Sequence, residues 1–261
     1  MKRLAWIAAA LLNVAVLQAH DFWIEPSTFH PSPGTTVAVA LRVGQKFVGD
    51  AVPRADASIA QFIVRQAGRD ETIKGLERVD PAGWLRADGQ ATAMVAYRSR
   101  PSYIELPANK FEDYLRVEGL EHIIDLRTQR GERTKPGREH FLRYAKSLLT
   151  GARTSPAVTQ PMGLAYEIVP ADDPTVSTAP FRGRVLFTGA PFAGALVVAM
   201  LRSDPSIRLT TRSDAQGGFV FALPRPGVWL IKSTHMARAW FFSEADWESS
   251  WASLTFEAPA R

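Results

Sequence analysis

The chain contains no cysteine. That absence excludes disulfide staples, thiolate metal sites, iron–sulfur clusters and a cysteine nucleophile. A metal would need histidine, carboxylate, amide, amine or backbone ligands. Histidine is itself scarce, with 5 in 261 residues. Neither the phosphate-cradling G-x-x-x-x-G-K-[ST] nor the dinucleotide-binding G-x-G-x-x-G occurs. The G-x-S-x-G nucleophile turn and the helical zinc pair H-E-x-x-H are missing too. Long apolar runs are also rare. Only Leu4–Leu17 qualifies, broken by Asn13, and it is shorter than the about 20 residues a membrane span takes. The charge excess is small at +5, from 31 Lys+Arg against 26 Asp+Glu, and forms no basic stripe that would favour nucleic acid.

What is present begins with a leader. Lys2 and Arg3 precede the apolar run, and Gln18-Ala19 supply a small-residue exit. That layout predicts a secretory signal peptide over 1–19, cut between Ala19 and His20, and hence a periplasmic or secreted protein. Losing Lys2 and Arg3 lowers the excess to +3. No later stretch is long enough for a mature transmembrane helix.

From Asp21 to about Tyr103 the pattern is of short strands. "TTVAVALRVG", "SIAQFIVRQA" and "ATAMVAYRSR" alternate or are rich in β-branched residues, with Pro and Gly between them. The middle changes period. "NKFEDYLRVEGLEHIIDLRTQRGE" predicts a helix capped by Asn109 and broken at Gly119. "KPGREHFLRYAKSLLTGA" predicts a second helix, with Phe141, Leu142, Ala145, Leu148 and Leu149 as its stripe. "PADDPTVSTAP" (170–180) reads as a linker or long loop with Asp172 and Asp173 solvated. Strands then return through "FRGRVLFTG", "APFAGALVVAML", "IRLTTRSD", "GGFVFALP", "GVWLIKSTH" and "SWASLTFEAP", with a hairpin expected at 214–218. The expected fold is mostly β: two β-sandwich units with a two-helix insertion in the middle. The N-terminal unit spans 20–175, with its helical insertion at about 109–150, and the C-terminal sandwich spans 176–261.

The segments "GRVLFTGAPFAGALVVAML" and "TTRSDAQGGFVFALPRPGVWLIKST" resemble Ig-like sandwiches of the transthyretin-like or carboxypeptidase-regulatory-like kind. "AHDFWIEP", "YRSRPSYIELPANKFEDYLRVEGLE", "REHFLRYAKSLL" and "GVWLIKSTHM" resemble a bacterial family of exported domains of unknown function. That family is grouped with periplasmic substrate-recognition parts of nickel and cobalt uptake systems. The resemblance implies a metal-handling role beside a membrane transporter component.

His20 is the leading candidate ligand. Exposed as an amino terminus, it offers an amine and a ring nitrogen to one ion, a donor pair that copper accepts readily and nickel accepts too, while cobalt enters through the family resemblance. His235, at the end of the apolar strand "GVWLIKST", is the expected partner. Asp21 and His140 are weaker candidates. His30 and His122 read as surface or packing residues. Met236 should point away from the His235 face if the strand continues. Trp240, Trp247 and Trp251 suggest either core filling or stacking on a sugar. Three readings stay open: a non-enzymatic periplasmic metal-binding protein, an interaction or carbohydrate-binding module, and a copper-dependent enzyme with a terminal-histidine site.

Overall fold

Two small sheets lie on opposite faces of one large sheet in the computed structural model, which describes residues 20–260. The leader expected over 1–19 lies outside the described residues. Strands take 50% of the chain and helices 11%, so the fold is mostly β, as expected.

The first small sheet contains β1 (Asp21–Pro26), β2 (Thr36–Gln45), β3 (Val48–Val52) and β6 (Gly83–Arg86). The second contains β10 (Tyr166–Pro170), β11 (Phe181–Phe187), β12 (Ala190–Pro191) and β15 (Gly218–Phe221). The nine-stranded sheet takes the rest. From one edge to the other it runs β14 (Asp204–Arg212), β13 (Leu196–Leu201), β16 (Gly227–Arg238), β17 (Trp247–Ala258), β9 (Gly137–Leu149), β7 (Ala93–Ser99), β4 (Ile59–Gln66) and β5 (Arg69–Thr72). The strand β8 (Ser102–Leu106) pairs with the first half of β9. Pairing is antiparallel within this sheet except between β17 and β9, where Trp247 aligns with Glu139 and Thr255 with Ser147. The expected boundary at 175/176 falls between β10 and β11, which pair with each other, and strands from both sides of it share the large sheet.

Alternation along β7 and β9 shows why both small sheets are needed. Val95, Tyr97, Ala145 and Leu149 pack with Phe22, Ile24 and Leu41 of the first small sheet. Met94, Ala96, Tyr144 and Leu148 pack the other way, with Tyr166, Phe181 and Phe219. Burying apolar area on both faces is the dominant stabilising term, at roughly 25 cal/mol per Å².

The helical expectation is corrected in one place. Helices α1 (Ala108–Val117) and α2 (Glu121–Gln129) both come from the stretch read as one broken helix, and Gly119 separates them as expected. The stretch 137–149, read as the second helix, is strand β9. Its apolar residues face two cores at once, which produces a near-continuous buried run that mimics a helical stripe. Asn109 does not cap: Pro107 is the N-cap and Asn109 lies inside α1. A third, short helix, α3 (Pro156–Thr159), is capped by Ser155. The turn at 214–218 forms with Gly217 at φ 72°, but it passes the chain from β14 to β15, in a different sheet, instead of closing a hairpin. Asp173 is buried and accepts from Thr175, while Asp172 pairs with Arg182. Among the described residues, no helix is long and apolar enough to cross a membrane.

Candidate functional site

A cleft of about 640 Å³ opens where α1 and the β2–β3 turn overhang the β14 edge of the large sheet. Its floor is built by alternation. Leu196 and Met200 of β13 and Arg208 and Thr210 of β14 line it, and Lys232 of β16 closes its inner end.

One wall is α1, which presents Lys110, Tyr114 and Val117. The helix packs through Phe111, Tyr114 and Leu115 against Trp247 and Trp251. Gly119 then turns the chain at φ 69°, where an added Cβ would lie 2.7 Å from the Leu196 Cβ. That turn buries Glu118 at the carboxyl end of α1. A carboxylate there opposes the negative end of the helix dipole, so it needs a cation. Lys232 supplies it, donating to both Glu118 oxygens at 2.7 and 3.0 Å, and Thr234 Oγ1 donates at 2.8 Å.

The other wall is the β2–β3 turn. Lys46 and Phe47 both adopt positive φ, 55° and 60°. Such a two-residue turn normally uses Asn or Gly. Here Phe47 is buried edge-on against Trp23, 5.3 Å between ring centres, which offsets the backbone cost and fixes Lys46 at the rim. Strain of this kind often accompanies a functional surface.

The inner end carries a buried triad. Lys232 also donates to Asp21, so one ammonium serves two carboxylates. Burial opposes the Lys232 charge, but Asp21 and Glu118 together outweigh it and hold the ammonium protonated. Burial pushes the Asp21 carboxyl up, Lys232 opposes that shift, and Glu118 adds to it. At the rim, Lys46, Lys110 and Arg208 are exposed. Arg116, by contrast, pairs with Glu112 and Asp113. The result is an apolar-walled cleft whose free charges are cations.

Sequence reasoning singled out Asp21 but assigned it to a metal. It missed Lys232 and Glu118. The signal for Lys232 was available, as the one charge inside the apolar "GVWLIKST".

The expected metal ligands are not brought together. His20 immediately precedes β1, where burial and the nearby Arg143 charge hold its ring below the ordinary range, with Asp50 opposing. His235 faces the other way. Its ring sits 4.5 Å from Phe187 and 4.6 Å from Phe192, centre to centre, near Tyr166. Burial, with His122 adding, pushes it down to about 4. His20 and His235 therefore lie on opposite faces of the large sheet. His140 is 3.2 Å from Glu244 and edge-on to Tyr103. His30 pairs with Glu257, and His122 lies 3.4 Å from the Met236 carbonyl. Among the described residues no group of three or more His, Cys, Asp or Glu could hold a metal ion. Met236 points away from His235, as expected, into the core under α1. Trp247 and Trp251 are core residues, whereas Trp240 is 74% exposed.

The model of a family described as a domain of unknown function, DUF4198, matches residues 17–237. No curated protein matches. Among solved structures, the "D0-D1 domain of Intimin" aligns at 10% identity over 90% of this chain and 97% of its own length, with a TM-score of 0.19. None of these matches carries a link to nickel or cobalt uptake.

Proposed function

We propose, starting from the fact that the chain belongs to the DUF4198 family of domains of unknown function, that it is a binding module for a small amphiphilic organic anion. The observation that carries this reading is the cleft itself. Leu106, Val117, Leu196 and Met200 line it with apolar surface, and Lys46, Lys110 and Arg208 stand at its mouth without an ion pair among the described residues, Arg208 acting on the buried Asp21 only through its field. Apolar enclosure with a few convergent polar groups is the usual form of a small-molecule site. The carboxylates in it do not favour a cation, because Asp21 and Glu118 are already bound by Lys232 and Asp113 pairs with Arg116. Capture of nickel, cobalt or copper rests on residue types and a family resemblance, and no group of three or more ligating side chains stands behind it among the described residues.

Octanoate, which joins an alkyl chain to a carboxylate, is a suitable probe for isothermal titration. The wild-type chain should bind octanoate and bind the neutral octanamide at least about tenfold more weakly. Lys110→Ala with Arg208→Ala should cost octanoate a similar factor and leave octanamide unchanged. Equal affinity for acid and amide, or binding of neither, overturns the reading.

A further inference from the structure

The connection between β16 and β17 presents the other prominent surface of the molecule. Ala239 N–H donates to the Asp246 carbonyl at 3.0 Å, and Asp246 N–H donates to the Arg138 carbonyl at 2.8 Å, so the base of the loop is tied to the sheet. Ser243 N–H donates to the Trp240 carbonyl at 2.8 Å, closing a four-residue turn. Phe241 and Phe242 occupy its corners and are 89% and 84% exposed. Their rings touch edge to face, 5.3 Å between centres.

Val48, Leu76, Val176 and Val220 are exposed too, each without an exposed large apolar neighbour in the sequence. Isolated apolar residues on a surface need no account. Three adjacent aromatics on a turn do. At about 150–250 Å² per side chain, they present on the order of 500 Å², near the upper range for a monomer's largest apolar patch. A solvent-facing turn is better served by Asn, Asp, Ser or Gly, so folding does not explain these side chains.

The surroundings say what covers them. At the base, Arg138 pairs with Asp246 at 2.9 Å, Arg238 with Glu132 at 3.1 Å, and His140 with Glu244 at 3.2 Å. The two arginines there are matched by acids, so the tip stands on a collar without an unpaired arginine and offers little charge to an acidic partner. The tip is also convex. It needs a surface that yields around it, not one cut to its shape. A zwitterionic headgroup layer meets both conditions, taking in the aromatic rings without asking for a net charge beside them. We propose that the turn Trp240–Ser243 docks on a lipid bilayer, its three rings entering the headgroup layer. One shallow contact of this size gives weak, reversible attachment.

Phosphatidylcholine vesicles and the full chain test this by co-sedimentation and tryptophan emission. Trp23, Trp229, Trp247 and Trp251 are buried and Trp84 is 36% exposed, so the part of a blue shift that Trp240→Phe abolishes reports Trp240. The wild type should sediment with vesicles and shift blue. Changing Trp240, Phe241 and Phe242 together to Ser should lower partitioning by at least about tenfold while octanoate binding in the cleft is unchanged. Trp240→Phe should keep most of the partitioning and lose the shift. Replacing part of the lipid with anionic phosphatidylglycerol, or raising the salt, should matter little. Sedimentation of the triple Ser variant like wild type, binding to neither vesicle, or binding only to anionic vesicles at low salt each overturns the proposal. Ring-dependent self-association without vesicle binding would make the tip a protein contact and overturns it as well.

Discussion

Two buried lysines sit on opposite faces of the same nine-stranded sheet and are treated differently. Lys232, toward α1, meets two carboxylates, Asp21 and Glu118. Lys146, toward the second small sheet, meets one, Glu167, at 2.7 Å. Burial wins at Lys146, whose ammonium is pushed down despite Glu167. At Lys232 the two carboxylates win and the ammonium is held charged. One opposite charge does not repay the desolvation of an ammonium, and two do. The faces differ in purpose accordingly. The Lys146 pair is sealed in a core, with Glu167 also accepting from the Met162 and Leu164 N–H groups. The Lys232 triad lines an open cleft.

Removing each lysine sharpens that contrast. Lys232→Met strands two facing carboxylates and should cost about 4–5 kcal/mol, at the top of the range for a broken buried pair. Lys146→Met strands one carboxylate that keeps two backbone donors, so about 3 kcal/mol is expected. Urea unfolding of both variants at pH 7 gives the comparison. Equal losses would mean that the second carboxylate contributes nothing to the difference between the faces. Adding Asp21→Asn and Glu118→Gln to Lys232→Met should recover most of the loss, because no buried charge then remains.

The α1 side also holds a carboxylate without a cation. Glu139 of β9 accepts from Tyr114 at 3.1 Å and from Ser249, and its Oε2 is buried with no partner. Burial pushes it up to about 7 from 4.5, against the hydrogen bonds from Ser249 and Tyr114. The folded state therefore holds a proton that the unfolded chain has released, and stability should fall as pH rises from 4.5 to 7. The loss is roughly 3 kcal/mol at most. In Glu139→Gln that slope should flatten in unfolding free energies measured across the window. An unchanged slope would assign it to Asp21, the other carboxyl pushed up on this face.

How much of this was legible depends on which contacts are local. Strands β2, β4, β7, β11 and β15 follow from alternation and β-branched residues, which the chain carries within each segment. The strand β9 was hidden because its neighbours are distant in sequence. It pairs in parallel with β17, about a hundred residues later, and both of its faces are covered. Nothing in "REHFLRYAKSLL" records that partner. The cleft was half legible. A lysine inside an apolar strand signals a buried partner, but Glu118 reaches it only because Gly119 turns the chain under Leu196. The histidines were conspicuous by scarcity, and scarcity says nothing about which face of a sheet each will take.

His235 gives the smallest test and marks the opposite face. Its ring is held neutral among Phe187, Phe192 and Tyr166, pushed down to about 4 by burial and by His122. A base whose folded pKa lies below its unfolded 6.5 supports the fold above that value and withdraws support as pH falls toward 4. This is the reverse of Glu139 over nearly the same window, so the two faces pull stability in opposite directions between about pH 4 and pH 7. His235→Phe keeps the ring packing and removes the proton, and should recover about 1 kcal/mol at pH 5, after allowance for the ring's partial exposure. At pH 8, where the imidazole is neutral in both states, it should change little. If His235→Phe instead left the acid limb of the unfolding free energy unchanged, the loss on acidification would belong to carboxyls held down by arginines, such as Glu112, Asp70 and Asp246, and the imidazole would carry no part of it.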